Sequence, residues 1–199
     1  MEQAQLQELL YQALETELGG VRVYETALTC AVNDDLKTEW QKYLDETRHH
    51  VELVQGILEQ IGIDPATETP GRGVVRHLGE SIVMAMEKAK TAGIPEAAEI
   101  VAAECVVLAE TKDHQNWELL GQVLQELGDA APAYTEAIRP AWEEVEEQED
   151  EHFYHTRGWV RELWRQSLGL DAQLPPIEEV RDVTSMREAA DAEQARTQT

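Results

Sequence analysis

Six side chains in this chain have the chemistry of a metal site: Glu17, Glu46, His49, Glu110, Glu149 and His152. Carboxylate oxygens and neutral imidazole nitrogens suit Fe(II) and Mn(II), with zinc able to occupy the same donor set. Each of the six falls on a stripe of otherwise apolar residues recurring every three or four positions, the mark of a core-facing helix surface. One stripe reads Trp142, Val145, Glu149, His152, Thr156, Trp159, Leu163. A carboxylate and an imidazole on such a face are costly to bury unless something pairs with them, and a metal ion does so. The Glu-x-x-His spacing alone carries little weight, because glutamate is common enough that the histidines should meet it about once by chance. The weight lies in order and level. The chain reads Glu, Glu-x-x-His, Glu, Glu-x-x-His. Glu17 and Glu46 lie at comparable distances from a turn near Asn33, and Glu110 and Glu149 from a turn near Asp129, so antiparallel partners present their groups at one height.

The elements that must carry these groups are long helices. The first is expected over residues 3–32, with the stripe Leu6, Leu10, Ala13, Glu17, Gly20, Tyr24, Ala27, Ala31. Asn33, Asp34 and Asp35 form a turn, and Asp34 or Asp35 can cap a second helix over 36–61. Its stripe is read as Leu36, Trp40, Tyr43, Glu46, His49, Leu53, Ile57. Gly62 and Pro65 stop it, and residues 64–73, with two prolines and two glycines, read as a loop. A helix over 74–92 has no polar interruption and is long enough to return the chain to the opposite end. The fourth helix, 96–127, offers two acids. The stripe through Glu104 turns polar, whereas the stripe through Glu110 stays apolar through Trp117, Leu120, Leu124 and Leu127, so Glu110 is the core-facing one. The fifth, 132–168, must run through Pro140, or Glu149 and Glu110 would sit at different levels. Residues 169–199 form a polar tail beyond the helical domain, 1–168.

Composition bounds the rest. The 199 residues hold 16 basic and 40 acidic side chains, a formal charge of −24. Such a chain is a poor partner for nucleic acid or an anionic membrane. No apolar run reaches the ~20 residues of a membrane span, and no secretory leader is visible. Cys30 and Cys105 have no Cys-x-x-Cys companion, which suggests buried thiols in a reducing compartment, the cytoplasm.

This set of residues resembles the di-iron carboxylate site of the ferritin-like superfamily, which includes bacterioferritins and rubrerythrins. The resemblance covers residues 3–168, with Tyr24 matching an aromatic beside the first-helix glutamate. It implies an all-α, ferritin-like four-helix bundle with one additional crossover helix. It also implies two Fe ions (or Mn), bridged by Glu46 and Glu149 and capped by Glu17 and Glu110, about 3.5–4 Å apart. The expected function is an oxidoreductase acting on oxygen, peroxide or Fe(II) in oxidative or metal stress, assembled as a homodimer. An iron-storage protein, or an interaction protein with a vestigial site, are the alternatives. The rubredoxin-like cysteines of a full rubrerythrin are absent, and the tail is no ferritin fifth helix. His50 and His114 are read as supports for the ligands, and Tyr24 and Trp117 as core aromatics.

Overall fold

Asn33 divides the first two helices. Its side chain accepts from the backbone N–H groups of Asp35 and Leu36, capping the second helix. Asp34 and Asp35, expected as caps, instead lie in that helix's first turn, where their charge suits the positive end of the helix dipole. The computed structural model describes residues 2–128 and 131–176. Its elements are α1 (Gln3–Cys30), α2 (Asp34–Gln60), α3 (Pro70–Thr91), α4 (Pro95–Leu127) and α5 (Pro132–Ser167). There is no strand among the described residues, so the chain is all-α there. α3 begins four residues before the expected start. Thr69 accepts from Arg72 N and caps it, and Pro70 fits the first helical turn, where no N–H partner is needed. α5 is continuous through Pro140, as the level of Glu149 requires.

α1, α2, α5 and α4 form a closed ring, each packing on the next, and the diagonal pairs α1–α5 and α2–α4 meet only through side chains that reach across the interior or the bundle end. Every neighbouring pair is antiparallel. Gln148 of α5 meets His50 of α2, while Glu151 meets Lys42. Trp117 of α4 meets Glu17 of α1, while Glu99 at its start reaches Val32 and Asn33. That Glu99 carboxylate, 4% exposed, accepts both backbone N–H groups of the α1–α2 turn at 2.6 Å and ties the turn to α4.

α3 lies outside the ring against α1 and α4 and runs parallel to α1. Thr69 bonds Glu8, Arg72 bonds Glu15, and the Cys30 thiol reaches the Met86 carbonyl. It therefore carries the chain from the lower end of α2 to the upper end of α4. Cys30 and Cys105 are both free and buried, and burial pushes the Cys105 thiol up to about 11.

The interior consists of two apolar clusters with a polar layer between them. One holds Tyr24, Trp40, Met86, Val106 and Trp159. The other holds Leu10, Leu14, Val54, Trp117 and Ile138. Where α4 and α5 approach, Gly121 faces the Trp142 indole so closely that a Cβ would sit 2.7–2.9 Å from the ring. Gly121→Ala is expected to destabilise the fold by roughly 1–3 kcal/mol through overpacking, despite alanine's better helix propensity. An unchanged or raised Tm would contradict that.

Residues 168–176 fold back on α5. Glu162 accepts from Gln173 N, and Arg165 donates to the Asp171 carbonyl. The rest of the expected polar tail, 177–199, lies outside the described residues. No helix among the described residues is long and apolar enough to cross a membrane.

Candidate metal centre

The polar layer is assembled from one face of each ring helix. α1 contributes Glu17, α2 His50, α4 Glu110 and Asp113, and α5 Glu149 and His152. All six are buried. Glu17, His50 and Glu149 each place one donor atom within 4.8 Å of the others, and so do Glu110, Glu149 and His152. Glu149 belongs to both groups, so the layer is two overlapping triads that share one carboxylate. Each group could hold a metal ion.

The histidines are oriented alike. His50 Nε2 faces Gln148 Oε1 at 2.7 Å, and His152 Nε2 faces Glu46 Oε2 at 2.9 Å. A carbonyl and a carboxylate only accept, so both Nε2 atoms donate and both Nδ1 atoms turn inward. His50 Nδ1 lies 3.0 Å from Glu149 Oε1 and 3.6 Å from Glu17 Oε2. His152 Nδ1 lies 3.8 Å from Glu110 Oε2 and 3.7 Å from Glu149 Oε1.

The electrostatics are those of too many charges in too little water. Burial raises the Glu17 carboxyl, with Glu149 adding to it and His50 opposing. Burial and then Glu149 push Glu110 up to about 8. Burial works against a charged His50, yet Glu17 and Glu149 outweigh it and hold the imidazole up to about 11. His152 is likewise raised against its burial, by Glu46, Glu110 and Glu149. The hydroxyl of Tyr24, buried beside Glu110, is raised well above its ordinary value.

Of the six residues expected from the sequence, four come together here: Glu17, Glu110, Glu149 and His152. His49 does not. Its side chain is 46% exposed and bonds Glu144 across the surface. The histidine that α2 turns inward is His50, which the sequence reading placed only as a support. The cause is a one-residue slip in the stripe. The buried face of α2 runs Tyr43, Thr47, His50, Val54, one position on from Glu46 and His49. Glu46 is displaced by the same slip. It stands behind His152, partly exposed, with Lys42 at 3.7 Å on its outer side. It is therefore not positioned between the triads, as a bridge would be. Glu104 is exposed and accepts from Trp164 Nε1, so of the two glutamates it is Glu110 that faces inward. His114 pairs with Asp150 at 2.7 Å, outside the two triads. Trp117 is more than a core aromatic: its indole N–H donates to Glu17 Oε1 at 2.8 Å and fixes that carboxylate. Asp113, one turn after Glu110 on α4 and given no role in the sequence reading, is 4% exposed in this layer.

Comparison with family models, curated proteins and solved structures finds no match to this chain.

Proposed function

We propose that the polar layer is a two-metal carboxylate centre, and that the protein is an oxidoreductase of the di-iron type acting on oxygen, peroxide or Fe(II). The observation that carries the metal reading is a set of bare donor atoms. Glu17 Oε2, Glu110 Oε2, Glu149 Oε2 and His152 Nδ1 are buried without a hydrogen-bond partner, and His50 Nδ1, though 3.0 Å from Glu149 Oε1, makes no well-aligned hydrogen bond. Orphaned buried polar atoms are expensive, and in natural proteins each has a reason. Divalent cations among them would satisfy all five at once.

Glu17 and His50 would hold one ion and Glu110 and His152 the other, with Glu149 between. This donor set suits Fe(II) or Mn(II). Two irons, when bound, supply two electrons to oxygen or peroxide in one encounter. The chain's own part is to orient and exclude. Gln148 and Glu46 hold the imidazoles so that Nδ1 faces inward, an arrangement common behind metal-bound histidines. Trp117 holds Glu17. The two apolar clusters, with Tyr24 and Trp159 on one side and Trp117 on the other, keep bulk water from the layer. The redox role is supported by Glu17, Glu110 and the Glu149-x-x-His152 pair on three of the four ring helices, which resemble the pattern of bacterioferritins and rubrerythrins; α2 departs from it, with Thr47 in the place before His50.

The test is an anaerobic titration of metal-free protein with Fe(II). Saturation at two ions per chain is expected, with proton release at neutral pH, because Glu110 and His50 must give up their protons to ligate. His50→Ala should lose one ion, whereas His49→Ala should keep both. Binding of no ion refutes the metal reading, and saturation at one refutes the pair. Oxidation of the loaded protein by oxygen or peroxide, followed optically, tests the redox part.

A further inference from the structure

On α5, Glu149 precedes His152 by three positions, and both face inward. On α2 the corresponding place before His50 is held by Thr47, which is 3% exposed. Its hydroxyl donates back to the Tyr43 carbonyl at 2.8 Å, and its methyl group packs against Gly20, where a Cβ would come within 3.1 Å. Thr47 thus offers no charge to the layer. The two triads hold three carboxylates, one fewer than the four charges that a pair of divalent ions brings.

A fourth carboxylate is present on another helix. Asp113 follows Glu110 by one turn on the inward stripe of α4 and precedes Trp117, whose indole holds Glu17. It lies outside the two triads, and of the carboxylates in them Glu17 acts on it most strongly, then Glu149 and Glu110, which associates it with the Glu17 and His50 side of the layer. It is 4% exposed, and its Oδ1 is buried with no hydrogen-bond partner. The neighbouring ammonium of Lys112 donates to Asn116 Oδ1, and Asn116 is anchored in turn by its Nδ2, which donates to Thr16 Oγ1. A buried carboxylate with a bare oxygen, beside three others, is destabilising unless a cation shares the site.

We propose that Asp113 is the fourth carboxylate of the centre, a ligand on the His50 side that replaces the one α2 lacks at Thr47. This rests on the two-metal reading. It gives α4 a Glu-x-x-Asp pair of ligands where the sequence reading assigned a single glutamate, and it makes the metal set Glu17, His50, Glu110, Asp113, Glu149 and His152.

The experiment is titration of metal-free protein with Mn(II), followed by electron paramagnetic resonance of free and exchange-coupled manganese. The wild type should take two ions and show the signal of a coupled pair. Asp113→Ala should retain one ion and lose the coupled signal, with affinity for the second ion falling by more than the roughly hundredfold that an outer partner of a ligand commands. Asp113→Asn tests charge at constant size and should weaken the second ion in the same direction. The Tm of the metal-free Asn variant should not fall below that of the wild type, because asparagine keeps the size and packing of the buried side chain, and this reading separates loss of a ligand from loss of the fold. Two ions bound at unchanged affinity by both variants would overturn the role of Asp113 and leave the two-metal reading standing. A wild type that binds fewer than two would overturn both.

Discussion

Glu149→Gln is expected to leave the protein unable to hold either ion. Glu149 is the one side chain common to both triads, with Oε1 at 3.0 Å from His50 Nδ1 and 3.7 Å from His152 Nδ1. Glutamine has the same size, so packing survives, but it offers one neutral oxygen where two ions would share a charged carboxylate. The effect should be visible without any turnover assay. A single bound ion at a hundredfold excess over its Kd stabilises by about 2.7 kcal/mol, which for a domain of this size is a rise in Tm of roughly 5–10 °C. Wild-type protein should show that rise on adding Mn(II), and the Gln variant should show none. The metal-free variant supplies the baseline, so that any cost of weakening the buried contact between Glu149 and His50 is read apart from the loss of metal binding. Glu46→Gln is the informative contrast. Glu46 touches His152 from behind and is itself partly exposed, so its loss should weaken one ion by roughly ten- to a hundredfold without abolishing it. If Glu46→Gln empties the site and Glu149→Gln does not, the carboxylate between the metals has been misassigned.

The contrast between these two glutamates is also where the sequence was hardest to read. The α1, α4 and α5 stripes were legible because each has one continuation. Beside Glu17 run Ala13 and Gly20, and beside Glu110 run Val106 and Trp117, so the apolar face is unambiguous. On α2 the stripe forks at Tyr43. Steps of three lead to Glu46 and His49, and a step of four leads to Thr47 and then His50; both branches return to Ile57. The Glu-x-x-His spacing favoured the first branch. The criterion that chose Glu110 over Glu104, that a core face stays apolar along its length, favours the second. Leu44, Thr47, Val54 and Leu58 are all buried, whereas Glu46, His49 and Leu53 are not. His50 also sits within one residue of the same distance from Asn33 as Glu17 does, a closer match in level than Glu46. The architecture survived the slip because a helix rotated by one residue still runs in the same direction between the same turns. The chemistry did not, because a rotation of about 100° takes a side chain from the interior to the surface. The inward role of Asp113 was not legible at all. A carboxylate on an apolar stripe is ordinary until its oxygen is seen to lack a partner.

Arg72→Ala should be the most destabilising single change away from the metal layer, by about 3 kcal/mol, because all the charge-assisted hydrogen bonds of a buried guanidinium are lost even though Arg76 still pairs with Glu15. Arg72 is 4% exposed and Glu15 is 2% exposed. The guanidinium donates through Nε and Nη2 to Glu15 Oε2 at 3.1 and 3.0 Å, and through Nη1 to the carbonyls of Pro65 and Thr67 at 2.6 and 2.9 Å. One side chain therefore fastens both the α2–α3 loop and the start of α3 to α1. Arg76 also bonds Glu15, but it lies half-open to solvent and shares itself with Glu68, so Arg76→Ala should cost no more than about 1 kcal/mol. The pair also sets a pH dependence. Burial works against an ionised Glu15, yet Arg76 and Arg72 outweigh it and hold the carboxyl below its ordinary 4.5. A carboxyl with a folded pKa below its unfolded one contributes stability that is fully present above pH 4.5 and is lost as pH falls through the folded value. Wild-type protein should therefore lose stability on acidification below pH 4.5, and Arg72→Ala should show a shallower dependence there as well as a Tm lower by roughly 10 °C at neutral pH. A variant melting within a degree or two of the wild type, or one with an unchanged acid limb, would show that α3 is held to α1 by its apolar contacts alone.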